Sequence, residues 1–193
     1  MKTGIFGGSF NPVHNGHISM ALLAKDRLGL DRVVFVPANI SPFKEPFKDV
    51  APLHRVKMLE GAVRDYPFFS VDDRELKRGG VSYTFNTVLE LERDFPEDIP
   101  FYLIIGDDLV KGFSSWYRAE ALAQRTRIVV LTREKDPFDL QFPHQNIKNE
   151  TVDISSSIVR ENISSGKEWA SLVPSFVSRY IIEYGLYGYD RTK

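Results

Sequence analysis

Apolar positions follow two patterns along the chain: short continuous runs, and longer stretches in which an apolar residue returns every three or four positions. The runs are rich in Val, Ile and Phe, which is typical of buried strands: KTGIF, RVVFVP, FFSVDD, IPFYLIIG and TRIVVLT. The helical spacing predicts helices from near Asn15 to Gly29 and at residues 53–65, 84–94, 116–124, 155–165 and 174–184. Strands that alternate with helices predict an α/β fold, in which a doubly wound parallel sheet carries helices on both faces.

Two proline-containing stretches, residues 37–52 and 133–149, show neither pattern and are predicted as long loops over the edge of the sheet. No repeat and no linker rich in Gly or Ser divides the sequence. Residues 1–193 are therefore expected to form a single domain, for which 42% hydrophobic residues provide ample core.

Composition narrows the classes of partner. The 25 Lys and Arg residues nearly balance 26 Asp and Glu residues, so no overall basic field favours nucleic acid or an anionic membrane, although a local site for a small anion stays open. The absence of cysteine excludes disulfides, thiolate metal sites and a cysteine nucleophile. Glycines come too early for a signal peptide, and no apolar run approaches the roughly 18 residues of a membrane span, so we expect a cytoplasmic protein.

The first candidate site is the segment GIFGGSFNPVHNGH, where the first strand-like run ends and the first helix begins. Glycines such as Gly7 and Gly8 let backbone N–H groups approach an anion closely, and a helix N-terminus adds unpaired N–H groups and the positive end of its dipole. The segment therefore predicts a phosphate site. It is neither a G-x-x-x-x-G-K-[ST] loop nor a G-x-G-x-x-G loop.

Two histidines distinguish this segment from those common loops. His14 and His17 are three positions apart, which places both rings on one face of the first helical turn, and Gly16 between them keeps the backbone open. A general base, a pair of phosphate donors, a pair of zinc ligands and a purely structural pair are all open on this spacing. The lack of an H-E-x-x-H pattern or a nearby third ligand argues against zinc.

A second candidate site is DISSSIVRENI. Serines at 155–157 are favoured at a helix N-cap, and Arg160 follows Ser157 by three positions, on the same face of the next turn. Hydroxyl groups, unpaired N–H groups and a guanidinium fork are together suited to phosphate. The alternative is an ordinary serine cap with an arginine at the surface.

The segments GGSFNPVHNGH and ISSSIVR together resemble the two signature motifs of the nucleotidyltransferase superfamily with the H-x-G-H pattern. The similarity narrows to the bacterial nicotinate-nucleotide adenylyltransferase family through four further segments: SYTFNT at 82–87, IIGDDL at 104–109, SSWYRAEAL at 114–122 and LVPSFVSRYIIEYGLY at 172–187. That resemblance implies a Rossmann-like fold and transfer of AMP from ATP to nicotinate mononucleotide in NAD biosynthesis.

The resemblance also implies roles for individual positions. An ATP site is implied at Gly8, Ser9, Phe10, His14, His17, Lys44, Gly106, Asp108, Ser156, Ser157 and Arg160. Among these, His14, His17 and Arg160 would be catalytic. A mononucleotide site is implied at Ser9, Lys44, Tyr83, Thr84, Trp116 and Tyr117. Mg²⁺ is expected to arrive with ATP rather than at a metal site held by the protein.

Several departures from the family pattern affect these assignments. The chain reads SPFK at 41–44 where many members read PPHK, so Phe43 replaces a histidine, and Lys48 competes with Lys44 for phosphate. Asn11 stands where Asp is frequent, and Ser157 stands where Thr is frequent; both keep hydrogen-bonding capacity.

The chemistry of the substrate that receives AMP indicates what the histidines are needed for. A phosphate monoester has its second pKa at about 6 and is largely dianionic at pH 7, so its attacking oxygen needs no general base. The histidines are then better used as hydrogen-bond donors to developing charge. Nicotinamide mononucleotide or phosphopantetheine as acceptor, and a nucleotide-binding module without turnover, stay open as alternatives. The oligomeric state is also open: a homo-oligomer is possible on this sequence, which has no heptad pattern that would indicate one.

Overall fold

The computed structural model describes residues 1–43, 50–132, 140–149 and 154–190. Within them, six parallel strands form one sheet in the order β3-β2-β1-β4-β5-β6. The strands are β1 Thr3–Gly8, β2 Arg32–Pro37, β3 Phe69–Val71, β4 Tyr102–Gly106, β5 Arg127–Thr132 and β6 His144–Lys148. The α-helices are α1 Asn15–Leu28, α2 Pro52–Val63, α3 Arg74–Arg78, α4 Thr84–Asp94, α5 Ala119–Arg125, α6 Ser156–Ser165 and α7 Ser175–Tyr184.

Alternate side chains of the strands enter two different cores, because successive residues of a strand point to opposite faces of the sheet. Phe6 and Ile104 pack on the face that is covered by α1, α2, α6 and α7. Ile5 and Leu103 pack on the other face, which α4 and α5 cover. Both faces are therefore buried, and the predicted doubly wound α/β fold is confirmed.

The strand order reverses between β1 and β4, which pair directly in the middle of the sheet. In open parallel sheets, ligands bind in the crevice outside the carboxyl ends of the strands at such a switch point. Gly8 ends β1 and Gly106 ends β4. The loops that follow these two glycines therefore border the same crevice.

Local signals place several helix ends correctly. Helix α1 begins at Asn15 and is closed by Gly29, whose φ of 59° is a left-handed conformation that favours glycine. Helix α6 has Ser155 as its N-cap, and the Ser155 hydroxyl accepts a hydrogen bond from the Ile158 N–H at 3.2 Å. The bounds of α4 agree with the predicted 84–94, and α7 begins one residue later than predicted.

The stretch 133–149 is not a loop throughout. Residues His144–Lys148 form the edge strand β6, of which only Ile147 is buried. An edge strand that exposes most of its side chains carries polar residues, so it lacks the apolar run by which the other strands are predicted. Residues 133–139 of that stretch lie outside the described residues.

Two helical predictions also differ from the structure. The helix expected at 116–124 begins only at Ala119, because Trp116 is extended and Arg118 has a φ of 54°. Helix α3 has five residues, too few to show a helical period in the sequence. No helix among the described residues is long and apolar enough to span a membrane.

Candidate active site

The turn that connects β1 to α1 is anchored by an aromatic side chain. Phe10 has a φ of 45° and is 1% exposed, and its ring meets the ring of Phe6 edge-on at 5.8 Å. A Cβ added at Gly8 would lie 3.0 Å from the Phe10 ring. Glycine at position 8 therefore leaves the space into which the Phe10 ring folds.

The backbone carbonyls of this turn are held by side chains from distant helices. The three donors are Arg55 Nη1 to Ser9 O at 2.7 Å, Arg160 Nη1 to Asn11 O at 2.7 Å and Ser156 Oγ to Pro12 O at 2.9 Å. In a trans peptide the C=O and N–H groups point in opposite directions. The Phe10 N–H consequently points away from Arg55, and the Val13 N–H points away from Ser156.

The two histidines lie against each other at the start of α1. His14 is the N-cap, its backbone N–H donates to His17 Nδ1 at 3.2 Å, and the ring centroids are 3.7 Å apart. A backbone N–H can only donate, so Nδ1 of His17 is the acceptor and the proton of the neutral ring lies on Nε2. The predicted shared face is present, and the capping contact fixes the tautomer of His17.

Burial sets the charge of His14. Its side chain is 5% exposed, and among the described residues Nδ1 has no hydrogen-bond partner. Burial lowers the pKa of His14 from 6.5 to about 4, so the ring is neutral at pH 7. A Cβ added at Gly16 would lie 3.0 Å from His14 Nδ1, so this glycine makes room for the ring.

The second motif reaches the same turn. Arg160 donates to Asn11 O through Nη1 and to Ser157 Oγ at 3.2 Å through Nη2. The N-terminus of α6 is thereby fixed beside the N-terminus of α1, although the two segments are about 140 positions apart in the chain. The structure thus brings the two sequence motifs together around one turn.

Asp108 and Gly106 lie at the end of β4, on the other side of the switch point. A Cβ added at Gly106 would come within 2.6 Å of Asp108 Oδ1 and 3.6 Å of the terminal methyl of Met20. The carboxylate of Asp108 therefore folds back over Gly106 and towards α1, where it stays exposed to solvent. This position borders the crevice that the β1 turn also borders.

The residues implied for the mononucleotide form an aromatic group near the N-terminus of α4. Tyr83 and Tyr117 have ring centroids 4.7 Å apart, and Thr84 is the first residue of α4. Trp116 is half-buried and stacks on Phe113 at 4.9 Å with an interplanar angle of 29°. The ring of Phe43, the residue that departs from the family pattern, lies 6.1 Å from that of Trp116.

Lys44 and Lys48 lie outside the described residues. Among the described residues, no group of three or more His, Cys, Asp or Glu side chains is arranged to hold a metal ion.

Two further residues of the site belong to neither sequence motif. Arg55 lies on the buried face of α2 beside Val56 and Leu59. An arginine among the apolar positions of a predicted helix is unusual, and this is the sequence feature that indicates a role for Arg55. Tyr187, near the end of the chain, donates from its hydroxyl to Asn11 Oδ1 at 2.7 Å. No local pattern around Tyr187 indicates that contact.

Comparison with known proteins agrees with this geometry. Residues 5–162 match a family model described as cytidylyltransferase-like. A relative from Dehalococcoides mccartyi strain CBDB1, named "Probable nicotinate-nucleotide adenylyltransferase", is 36% identical over 97% of both chains. A relative of the same name from Lactiplantibacillus plantarum is 38% identical over 96% of this chain and 88% of its own. The chain belongs to the nicotinate-nucleotide adenylyltransferase family. The resemblance stated from the sequence motifs is thereby confirmed.

Solved structures agree in fold with this family member. Plasmodium falciparum nicotinic acid mononucleotide adenylyltransferase complexed with NaAD superposes with a TM-score of 0.80 at 21% identity, over 99% of this chain and 100% of that one. The same Plasmodium protein complexed with APC gives a TM-score of 0.78 over 98% of both chains. At this level of identity the likeness establishes the fold alone.

The burial of His14 predicts how the stability of this family member depends on pH. Unfolding restores the pKa of His14 from about 4 to 6.5, so the unfolded chain binds the extra proton between these values. Stability is therefore lost as the pH falls from 6.5 to 4, and His14 accounts for a loss of about 3 kcal/mol.

Urea unfolding between pH 4 and pH 7 should show a flatter profile for His14→Gln than for the native chain. His144→Gln, at a half-buried histidine on the edge strand β6, serves as the matched substitution for comparison. Titration of the His14 ring by NMR reports the same quantity directly; a pKa at or above 6.5 would contradict the burial argument.

Proposed function

We propose that this chain catalyses transfer of AMP from ATP to nicotinate mononucleotide, giving nicotinate adenine dinucleotide and pyrophosphate in NAD biosynthesis. The observation that carries the proposal is the contact between Arg160 of the ISSSIVR motif and the Asn11 carbonyl of the turn before the two histidines. Family membership supports the reaction. The proposal includes a cytoplasmic location, action of residues 1–193 as a single domain, and small nucleotides rather than nucleic acid as partners.

The triphosphate of ATP is proposed to lie against the β1–α1 turn. The turn has its carbonyls bound by Arg55, Arg160 and Ser156, so its N–H groups and the N-terminus of α1 present positive charge to an anion. The ATP-binding residues in this proposal are those implied by the sequence: Gly8, Ser9, Phe10, His14, His17, Lys44, Gly106, Asp108, Ser156, Ser157 and Arg160.

The reaction needs a phosphate oxygen of the mononucleotide to attack the α-phosphorus of ATP. A new P–O bond forms, the bond from the α-phosphorus to the bridging oxygen breaks, and pyrophosphate leaves with that electron pair. The attacking phosphate is already dianionic at pH 7, so no proton has to be removed. The dominant contributions are then alignment of two anions and stabilisation of the charge that develops on the transferred phosphoryl group and on pyrophosphate.

The structure of the histidine pair argues against a general base. A ring with a pKa of about 4 holds a proton too weakly to accept one efficiently at pH 7. His17 uses Nδ1 as an acceptor for the His14 N–H, which leaves Nε2–H as the donor of the neutral ring. We therefore assign both histidines to hydrogen-bond donation towards phosphate, and His17 donates from Nε2.

Magnesium fits the site as an ion that ATP brings. Mg²⁺ commonly takes its oxygen ligands from substrate phosphates and water, so it is proposed to arrive bound to ATP. When bound, the ion would neutralise charge on the triphosphate. We assign the exposed carboxylate of Asp108, beside Gly106 at the end of β4, to the adenosine ribose.

The pyridine ring of the mononucleotide is proposed to lie at the aromatic group near α4. The ring is cationic, and aromatic faces such as those of Trp116 and Tyr117 attract cations. The N-terminus of α4 and the hydroxyl of Thr84 supply donors for the nicotinate carboxylate. Ser9, Lys44 and Tyr83 complete the proposed mononucleotide site.

Release of pyrophosphate, measured with ATP and Mg²⁺, tests the proposed function. Nicotinate mononucleotide should support turnover, and nicotinamide mononucleotide and phosphopantetheine are the matched comparisons. Faster release with either of these would reassign the acceptor. Absence of release with all three would refute the enzymatic proposal.

Substitution of His17 tests the Nε2 donor. His17→Asn keeps an acceptor near the position of Nδ1 for the His14 N–H but lacks a donor at the position of Nε2, so kcat should fall by about 10² to 10³ fold. His17→Gln places its amide nitrogen near the position of Nε2 and should retain more activity. Steady-state pyrophosphate release, with circular dichroism to verify the fold, gives the comparison. Near-native turnover of His17→Asn would remove the Nε2 donor from the mechanism.

Substitution of Trp116 tests where the pyridine ring lies. Trp116→Ala should weaken binding of nicotinate mononucleotide by about tenfold or more while the Kd for ATP changes little. Trp116→Phe retains an aromatic face and should have an intermediate effect. Isothermal titration of each substrate separates the two sites, and equal losses for both substrates would show that the pyridine site is elsewhere.

A further inference from the structure

A buried arginine connects two loops of the site. Arg55 on α2 is 2% exposed, a depth at which a charged side chain is costly unless it is well bonded. Its acceptors are two backbone carbonyls, Ser9 O at 2.7 Å from Nη1 and Asn39 O at 3.5 Å from Nη2. Among the described residues no carboxylate pairs with it. The buried guanidinium of Arg55 therefore binds two backbone segments and no acidic side chain among the described residues.

The two carbonyls belong to loops at the ligand-binding edge of the sheet. Gly8 at the end of β1 is in register with Pro37 at the end of β2, so Ser9 and Asn39 follow neighbouring strand ends. The planar guanidinium fork of Arg55 spans the gap between them. The turn that contains His14 is thereby bound to the segment that follows β2.

The network continues from Asn39 to the start of α4. The Asn39 N–H donates to Ser82 Oγ at 2.9 Å, and the Ser82 N–H donates back to Ile40 O at 2.8 Å. The Asn39 side chain adds a hydrogen bond from Nδ2 to Gly80 O at 2.8 Å. Ser82 directly precedes Tyr83, where the proposed mononucleotide site begins.

The far end of the network is anchored on α3 and α4. The buried carboxylate of Glu75 on α3 accepts a hydrogen bond from the hydroxyl of Thr87 on α4. Burial raises the pKa of Glu75, and the hydroxyls of Thr87 and Ser82 counteract that rise. Ser82 is therefore held by the Asn39 N–H, which donates to its hydroxyl oxygen, and by Ile40 O, which accepts from its N–H. A continuous path of hydrogen bonds joins the turn beside the proposed triphosphate to the segment beside the proposed pyridine ring.

We propose that Arg55 is a positioning residue for adenylyl transfer, which sets the spacing between the ATP turn and the mononucleotide segment through Asn39 and Ser82. The inference rests on the proposed function. Two bound anions must be aligned for in-line attack, and a displacement of about 1 Å can cost about 100-fold in rate. The guanidinium charge also adds to the attraction of the site for phosphate.

Substitutions at Arg55 separate its geometry from its charge. Arg55→Lys keeps the charge, but an ammonium group is a compact donor that does not span both carbonyls as the fork does. We expect kcat to fall about 10- to 100-fold, with a much smaller change in the Kd for ATP. Arg55→Met removes the charge as well and should also raise the Kd for ATP. Arg64→Lys and Arg64→Met, at the exposed C-terminal end of the same helix, are the matched controls and should keep native kcat.

Ser82→Ala tests the path independently of Arg55. It removes the acceptor for the Asn39 N–H, so kcat should fall, and its effect should be less than additive with that of Arg55→Lys because both changes break one network. The measurements are pyrophosphate release, isothermal titration with ATP, and thermal unfolding of each variant.

The outcomes are distinct. A folded Arg55→Lys variant with native kcat, even with a lowered Tm, would overturn the inference and leave the proposed function intact. Strictly additive effects of Arg55→Lys and Ser82→Ala would also overturn it. If Arg55→Lys does not fold, native kcat in Ser82→Ala decides against the path. A native chain without turnover would overturn the proposed function and this inference together.

Discussion

The site depends on one constraint, which is that the carbonyl oxygens of the β1–α1 turn are occupied. A carbonyl that faced a triphosphate would repel it, whereas an N–H group attracts it, and the planar peptide makes these two orientations exclusive. Arg55 binds the Ser9 carbonyl at 2.7 Å and the Ser156 hydroxyl binds the Pro12 carbonyl at 2.9 Å, so the N–H groups of Phe10 and Val13 point away from these donors. Arg160 binds the Asn11 carbonyl at 2.7 Å, whose peptide with Pro12 carries no N–H. The donors come from α2 and α6, so the orientation of a six-residue turn requires most of the chain to be folded. This is a physical reason why two short motifs far apart in the sequence occur together.

The charges of the site follow from the same arrangement. His14 is neutral at pH 7 because burial lowers its pKa to about 4, and His17 is engaged through Nδ1 with the backbone of His14. Positive potential at the turn therefore comes from guanidinium groups, backbone N–H groups and the N-terminus of α1 rather than from imidazolium. The side chains of such a site need not gain or lose a proton during the reaction. This suits AMP transfer between two anionic substrates, because the attacking phosphate is already deprotonated.

Local rules in the sequence predicted the parts of the fold that local physics determines. The apolar runs, the left-handed Gly29 and the Ser155 cap each depend on a few neighbouring residues, and each was predicted correctly. The polar edge strand β6 was predicted as a loop, because its pairing with β5 is a long-range contact that its own residues do not signal. For the site, the motifs indicated which segments would meet. The buried contacts of Arg55 and the lowered pKa of His14 depend on tertiary packing, so spacing alone could not predict them.

The central claim is that AMP passes directly between two substrates bound side by side, without a covalent intermediate on the protein. The stereochemical course at the α-phosphorus tests it most directly. One diastereomer of the α-thio analogue of ATP would be supplied with nicotinate mononucleotide, and the configuration at phosphorus in the dinucleotide product would be determined by NMR. A single in-line displacement inverts that configuration, and inversion is the predicted result. Retention would mean two successive displacements through an adenylylated side chain, and it would contradict the account.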